Sequence, residues 1–285
     1  MSTLKRTVLI TGCSDGGIGA ALAVAFHEAG VHVYATARNP AKMSQLRSLG
    51  IETLTLDVQS ESSITACVSK LSSLDILVNN AGMTFLMPVV DVNIAEAKKT
   101  FDLNVWSYIA MTQAFLPLLL KSPKGMIVNQ TSVGGSCTIP FQAIYNASKS
   151  AIVMISDTLR LELEPFGIKV VDLRTAVVKT NLIKNMRETE KPVLPKGSIY
   201  EPAKEVVEKS LRQEQFDNAG MPANKWSKAT VRDLMKKNPP PVIWRGESAW
   251  LTWLGTVLPF GTLDGFIKKL TGMDKVAQAV QKEEC

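Results

Sequence analysis

The chain has 285 residues, 46% apolar and 20% charged, with a net charge of +6; it can bury a large core and need not divide into two domains. No apolar run reaches the roughly 18 residues of a spanning helix, the first residues enter a strand without a leader pattern, and Cys13, Cys67, Cys137 and Cys285 have neither paired nor metal-ligand spacing. A membrane span, secretion, a disulfide framework and a metal site are therefore not expected, and the reading is a cytoplasmic chain with reduced thiols.

The first β-branched run, residues 7–11, predicts a buried strand. It runs into Thr11-Gly12-Cys13-Ser14-Asp15-Gly16-Gly17-Ile18-Gly19, after which a helix is expected over 18–29, closed by Gly30. Glycines between a strand and a helix let the backbone approach a pyrophosphate, whose charge the helix N-terminus favours. The second strand, 31–36, leads into Ala37-Arg38-Asn39, with Arg38 where an NAD enzyme would carry a carboxylate. A guanidinium matches a 2′-phosphate and a carboxylate repels it, so the cofactor is read as NADP(H), with Ser14 adding a hydroxyl.

Further strands are expected at 53–58, 76–79, 126–131 and 169–173, and a last one at 242–244 after three prolines. Long helices are predicted over 94–120 and 144–164. Strands alternating with helices give an α/β fold, a doubly wound parallel sheet of Rossmann type in a single domain. Ser132 follows the fifth strand, and Tyr145 and Lys149 lie four residues apart on the following helix. That spacing puts phenol and ammonium on one face, where the cation favours the phenolate and lowers a pKa of about 10. A tyrosine so tuned can exchange a proton with a secondary alcohol near neutral pH. Ser132 is placed to hold a carbonyl oxygen as charge develops on it.

After Thr180 the pattern loosens, with Pro192, Pro195, Pro202 and one clear helix over 203–215. Residues 181–238 are the expected substrate lid, since insertions at the C-terminal edge of such a sheet build its ligand crevice; an ordinary surface connection is the alternative. Phe85, Ser136, Phe141, Leu182 and Met186 are expected pocket walls from their positions. The C-terminal tail, 248–285, shows apolar stripes at Trp250, Trp253, Leu254 and Val257 and at Leu263, Phe266, Ile267 and Leu270. Two short amphipathic helices follow, which could pack on the domain, pair with another subunit or lie peripherally on a membrane beside Lys268 and Lys269. Residues 1–178 carry 14 basic and 13 acidic side chains and residues 179–285 carry 18 and 13. That excess could serve an anionic substrate, a lipid surface or solubility; its dispersion points away from nucleic acid.

In order along the chain, the glycine loop, Asp57-Val58, Asn79-Asn80-Ala81-Gly82, Asn104, Ser132, Tyr145 and Lys149 resemble the short-chain dehydrogenase/reductase family over residues 5–182. The resemblance implies that Asp57 and Val58 hold the adenine and that Asn79, Asn80, Ala81 and Gly82 shape the floor under the cofactor. It implies that Asn104 anchors a water-linked proton relay, that Lys149 also binds the nicotinamide ribose, and that Thr180, two residues past Val178, meets the carboxamide. A homodimer or homotetramer through the long helices is implied as well. Two departures stand out. Four residues separate Gly12 from Gly17 where the family has three, so either Gly16 or Gly17 could face the phosphates, and Thr175-Ala176 replaces the family's Pro-Gly. Within the family the chain is most similar to the fungal acyl-dihydroxyacetone-phosphate reductase group and, more distantly, to hydroxysteroid dehydrogenases, on its loop, Tyr34 to Asn39 and Ile243-Trp244-Arg245-Gly246. The expected activity is reduction of a ketone on a largely apolar substrate. Oxidation of a secondary alcohol, and a dinucleotide-binding scaffold without turnover, are the alternatives.

Overall fold

The computed structural model describes residues 5–189 and 192–283; Cys285 lies outside the described residues. The strands in chain order are β1 (Thr7–Ile10), β2 (His32–Ala37), β3 (Glu52–Thr55), β4 (Ile76–Asn79), β5 (Met126–Gln130), β6 (Lys169–Thr175), β7 (Val178–Lys179), β8 (Met221–Pro222) and β9 (Val242–Arg245). Seven of them form one parallel sheet in the order β3-β2-β1-β4-β5-β6-β9, and β7 pairs with β8 in a small ribbon. Leu9 of β1 sits between Tyr34 of β2 and Leu77 of β4. The winding reverses at this point, which opens a crevice beyond the carboxyl ends of β1 and β4.

Alternation along the strands sends successive side chains to opposite faces, each covered by helices. Val8 and Ile10 join Phe26 of α1 (Ile18–Glu28) and Ile243 in one core. Leu9, Leu77, Ile127 and Val170 join a second core on the other face. The expected helix over 94–120 is two helices, α4 (Ile94–Phe101) and α5 (Ser107–Leu119), interrupted by a π-helical turn at Asp102–Trp106 that contains Asn104. The remaining helices, in chain order with those two, are α2 (Ser44–Ser48), α3 (Glu61–Val68), α4 (Ile94–Phe101), α5 (Ser107–Leu119), α6 (Ala143–Leu163), α7 (Leu182–Thr189), α8 (Lys204–Leu211), α9 (Ala223–Leu234), α10 (Ala249–Gly255), α11 (Asp264–Thr271) and α12 (Met273–Glu283).

The stretch 181–238 is not one unit. Its last helix, α9, packs against α1 and buries Trp226 completely, a side chain whose burial alone is worth about 2–3 kcal/mol. It therefore belongs to the body of the domain. The rest is tied together differently: Met186, Leu194, Val207 and Leu211 share a third, smaller core with Phe141 and with Val276 of α12. In the tail, α10 and α11 are present as the stripes predict, and α12 is a third helix that the sequence reading did not contain. Trp250 and Trp253 do not pack inward; they are 67% and 51% exposed.

Candidate active site

The carboxyl ends of β1 to β6 and the start of α6 surround a cleft of about 780 Å³. At its floor, Thr11 staples the loop after β4 to β1: its hydroxyl accepts from the backbone N–H groups of Asn80 at 2.8 Å and Ala81 at 2.9 Å. Asn80 Nδ2 in turn donates to the Thr11 carbonyl at 2.7 Å. The side chain of Asn80 is thus engaged in holding the glycine loop. Close packing explains two of the glycines, because a Cβ on Gly12 would lie 2.9 Å from Ala81 Cα and one on Gly19 would lie 2.6 Å from the Gly12 carbonyl.

Gly12, Ser14, Gly17, Ile18 and Gly19 line the cleft; Gly16 does not. Gly17 is the N-cap of α1, whereas Gly16 has φ +78° and lies against Asn181, where a Cβ would come 2.1 Å from Nδ2. Of the two, Gly17 faces the cleft and Gly16 fills a contact with the segment that opens α7. At the end of β2, Arg38 and Lys42 both line the cleft. No side-chain hydrogen bond or ion pair to either cation is found among the described residues. Two free cations at the adenosine end fit the 2′-phosphate of NADP(H), and Lys42 was missed although it follows Arg38 by four residues. Leu56 and Val58 line the same end, but Asp57 does not; its carboxylate accepts from Gln59 N–H at 3.0 Å, and its own N–H donates to Ser63 Oγ at 2.9 Å.

Ser132, Tyr145 and Lys149 meet at the other end, with Val178 and Thr180 lining the wall beside them. Ser132 Oγ accepts from Gly134 N–H at 3.0 Å, which leaves the hydroxyl hydrogen to be donated toward the cleft. Lys149 is buried and its Nζ donates to the Gln130 carbonyl at 2.9 Å, an acceptor that Tyr108 Oη shares at 3.1 Å. Asn104, fully buried, accepts from Met83 N–H at 2.9 Å and donates to Met83 O at 2.9 Å and Ser148 Oγ at 3.0 Å. Its amide is thereby used in joining the π-helical turn, the loop after β4 and α6. π-helical turns of this kind recur at functional sites. Gly82 lies over this junction: a Cβ there would come 3.1 Å from Asn104 Oδ1 and 3.6 Å from Lys149 Nζ.

The electrostatics differ from the expectation that Lys149 lowers the Tyr145 pKa. Burial pushes the Tyr145 phenol up, and the hydrogen bond from Ser132 pulls it back. Lys149 Nζ stands 6.0 Å from the Tyr145 ring centroid and 5.4 Å from that of Tyr108. Burial also lowers Lys149 itself to about 8, against the opposing pull of Asp172. Desolvation of the phenol itself is the larger influence on Tyr145 and sets the direction of its shift.

Of the expected pocket walls, Leu182 and Met186 line the cleft, joined by Met83, Ile183 and Phe216. Ser136 and Phe141 do not; they line a neighbouring depression of about 580 Å³, and Phe85 lines neither. Ser136 is turned away because its hydroxyl accepts from Arg174 Nη1 at 3.1 Å. Phe141 is drawn into the third core, edge-on to Tyr200 at 5.7 Å between centroids, at φ +66°.

Residues 6–191 match the family model for short chain dehydrogenases. A short-chain dehydrogenase/reductase of Pestalotiopsis microspora is 55% identical over 281 residues, covering 99% of each chain. An NADPH-dependent 1-acyldihydroxyacetone phosphate reductase of Schizosaccharomyces pombe is 37% identical, covering 90% of each. A solved short-chain dehydrogenase from Streptomyces avermitilis superposes with a TM-score of 0.74 at 27% identity, over 97% of this chain and 98% of that one.

Proposed function

The chain belongs to the short-chain dehydrogenase family, a family of oxidoreductases, and from that premise we propose that it is an NADPH-dependent reductase of a ketone on a largely apolar substrate. The carrying observation is the convergence in one cleft of Ser132, Tyr145 and Lys149 with two unpaired cations, Arg38 and Lys42, at the far end. NADPH, when bound, supplies the hydride for the carbonyl carbon. Gly17, at the N-terminus of α1, favours the pyrophosphate, and Arg38 with Lys42 favours the 2′-phosphate. Ser132 donates its hydroxyl hydrogen to the carbonyl oxygen, a bond that strengthens as negative charge develops there. Tyr145 delivers the proton to the same oxygen. Lys149 and Asn104 hold the surrounding backbone and keep a positive charge beside the phenol. Leu182, Ile183, Met186 and Phe216 offer the apolar part of the substrate a dry wall. The segment from 181 to 216 is the part of the chain suited to act as a lid, since α9 belongs to the body.

Replacing Tyr145 with Phe tests the assignment. It keeps the ring and removes the proton donor, so turnover followed by NADPH absorbance across a ketone panel falls by at least about a hundredfold, while NADPH still binds. Retention of most activity would show that the acid has been misassigned. The relative from Schizosaccharomyces pombe, named for reduction of an acylated phosphate ketone, makes lipid-like ketones the first substrates to try.

The tail supports a contact with a lipid surface. Residues 248–263 contain no charged side chain and Lys268 and Lys269 follow, while Trp250, Trp253, Val257, Phe260 and Phe266 are exposed, Phe260 wholly so. Exposed aromatics beside lysines suit an anionic interface. Among the described residues no helix is long and apolar enough to cross a membrane. In a flotation assay the parent binds anionic vesicles and Trp250→Ser/Trp253→Ser does not; a parent that stays off the vesicles removes this part of the reading. Exposed Trp106, Met154 and Leu161 support a subunit contact through α6 and the π-helical turn that precedes α5.

A further inference from the structure

The catalytic serine lies in the segment 131–136, and β6 reaches that segment at both ends. Upstream of Ser132, Thr131 Oγ1 donates to Asp172 Oδ1. Downstream, Arg174 Nη1 donates to Ser136 Oγ at 3.1 Å. The two β6 side chains are joined to each other by Arg174 Nε and Asp172 Oδ2 at 2.6 Å, with side-chain exposures of 13% and 1%. The guanidinium also lies 4.8 Å from the Trp244 ring centroid on β9. Residues two apart on a strand share a face, so one ion pair on one face of β6 spans the serine from side to side.

Stability does not account for this pair. The neighbouring β6 residues Val170, Val171 and Leu173 are buried and apolar, and apolar replacement of a buried ion pair is often neutral or stabilising. A charged pair that costs desolvation yet holds a catalytic segment by two side-chain hydrogen bonds has its use in geometry. We infer that Asp172 and Arg174 are positioning residues for the carbonyl reduction: they fix the segment 131–136 so that the Ser132 hydroxyl keeps its aim. Asp172 has a second link to the site, since its charge favours the charged form of Lys149.

The inference rests on the proposed ketone reduction, and its test uses the full chain with NADPH and a ketone that the parent reduces. A parent inactive on every ketone defeats that reading; the brace is judged on an active parent. Asp172→Asn keeps the shape and removes the charge, and Arg174→Met removes both donors. Each is expected to lower kcat by about ten- to a hundredfold, the scale of a small misplacement at a reacting group, with the NADPH Kd changed less than about threefold. Arg174→Lys restores part of the loss. The discriminating measurement is made in a Ser132→Ala background, where Arg174→Met leaves the residual kcat unchanged, because the group it aims is gone. A further tenfold fall there would assign the pair to the fold instead and overturn the inference. If Asp172→Asn does not fold, Ser136→Ala carries the test by deleting only the downstream bond: a lower kcat with intact NADPH binding supports the brace, and an unchanged kcat in both Ser136→Ala and Arg174→Lys refutes it.

Discussion

Lys149 should make the protein less stable at neutral pH than a chain that lacks it. Its side chain is 4% exposed and burial lowers its pKa to about 8 from an ordinary value of 10.5. Below pH 8 both the folded and unfolded chains hold the proton. Between 8 and 10.5 the unfolded chain still holds it and the folded chain has released it, so stability rises with pH across that window. The full span amounts to about 3 kcal/mol, and the part gained between pH 6.5 and 9.5 to about 2 kcal/mol. In Lys149→Met the stem is kept and the charge is gone, and the Gln130 carbonyl retains Tyr108 Oη as a donor. Urea unfolding of cofactor-free parent and variant at the two pH values should therefore show the parent gaining about 2 kcal/mol on the variant at the higher pH. Equal pH dependence in the two chains would show that Lys149 does not carry a depressed pKa, and the account of the site's electrostatics would fall with it.

Arg38→Asp replaces attraction by repulsion at the adenosine end and should weaken NADPH by about 1.5–3 kcal/mol while leaving NADH nearly unaffected; titration of both dinucleotides measures this, and an unmodified chain that prefers NADH contradicts the reading of the cleft. Gly16→Ala meets both the φ of +78° and Asn181 at 2.1 Å, so a loss of about 1–2 kcal/mol is expected in denaturant unfolding. Adding Asn181→Ala should return the steric share, and a neutral Gly16→Ala would mean that the loop does not adopt this conformation.

The parallel strands and the meeting of Tyr145 with Lys149 at the cleft were legible because both are written in short-range spacing. Runs such as Val8-Leu9-Ile10 are buried on both faces, and the interval from Tyr145 to Lys149 is one helical turn. Helix α9 was harder to see because its buried side includes Ser227, Thr230 and Asp233 alongside Trp226 and Leu234, which blurs the apolar stripe. Pocket walls failed for another reason. Whether Ser136 or Phe141 turns into the cleft depends on partners 38 residues away, as with Arg174, or in α7 and α12, and no local pattern encodes that. The same holds for Lys149: its four-residue interval from Tyr145 gives proximity but says nothing of the desolvation that decides the sign of the pKa shift.

The π-helical turn at Asp102–Trp106 also constrains how this protein can evolve. One extra residue in a helix rotates everything beyond it by about 100°, so the turn that brings Asn104 against Met83 and Ser148 also sets which side of α5 looks outward, with Trp106 58% exposed. A deletion that regularised the helix would withdraw Asn104 from its partners and re-aim the whole outer face in the same step. Changes on the outer surface of α5 can therefore accumulate by substitution, whereas a length change between α4 and α5 shifts the Asn104 contacts and the outer surface together, because both are geared to a single backbone irregularity.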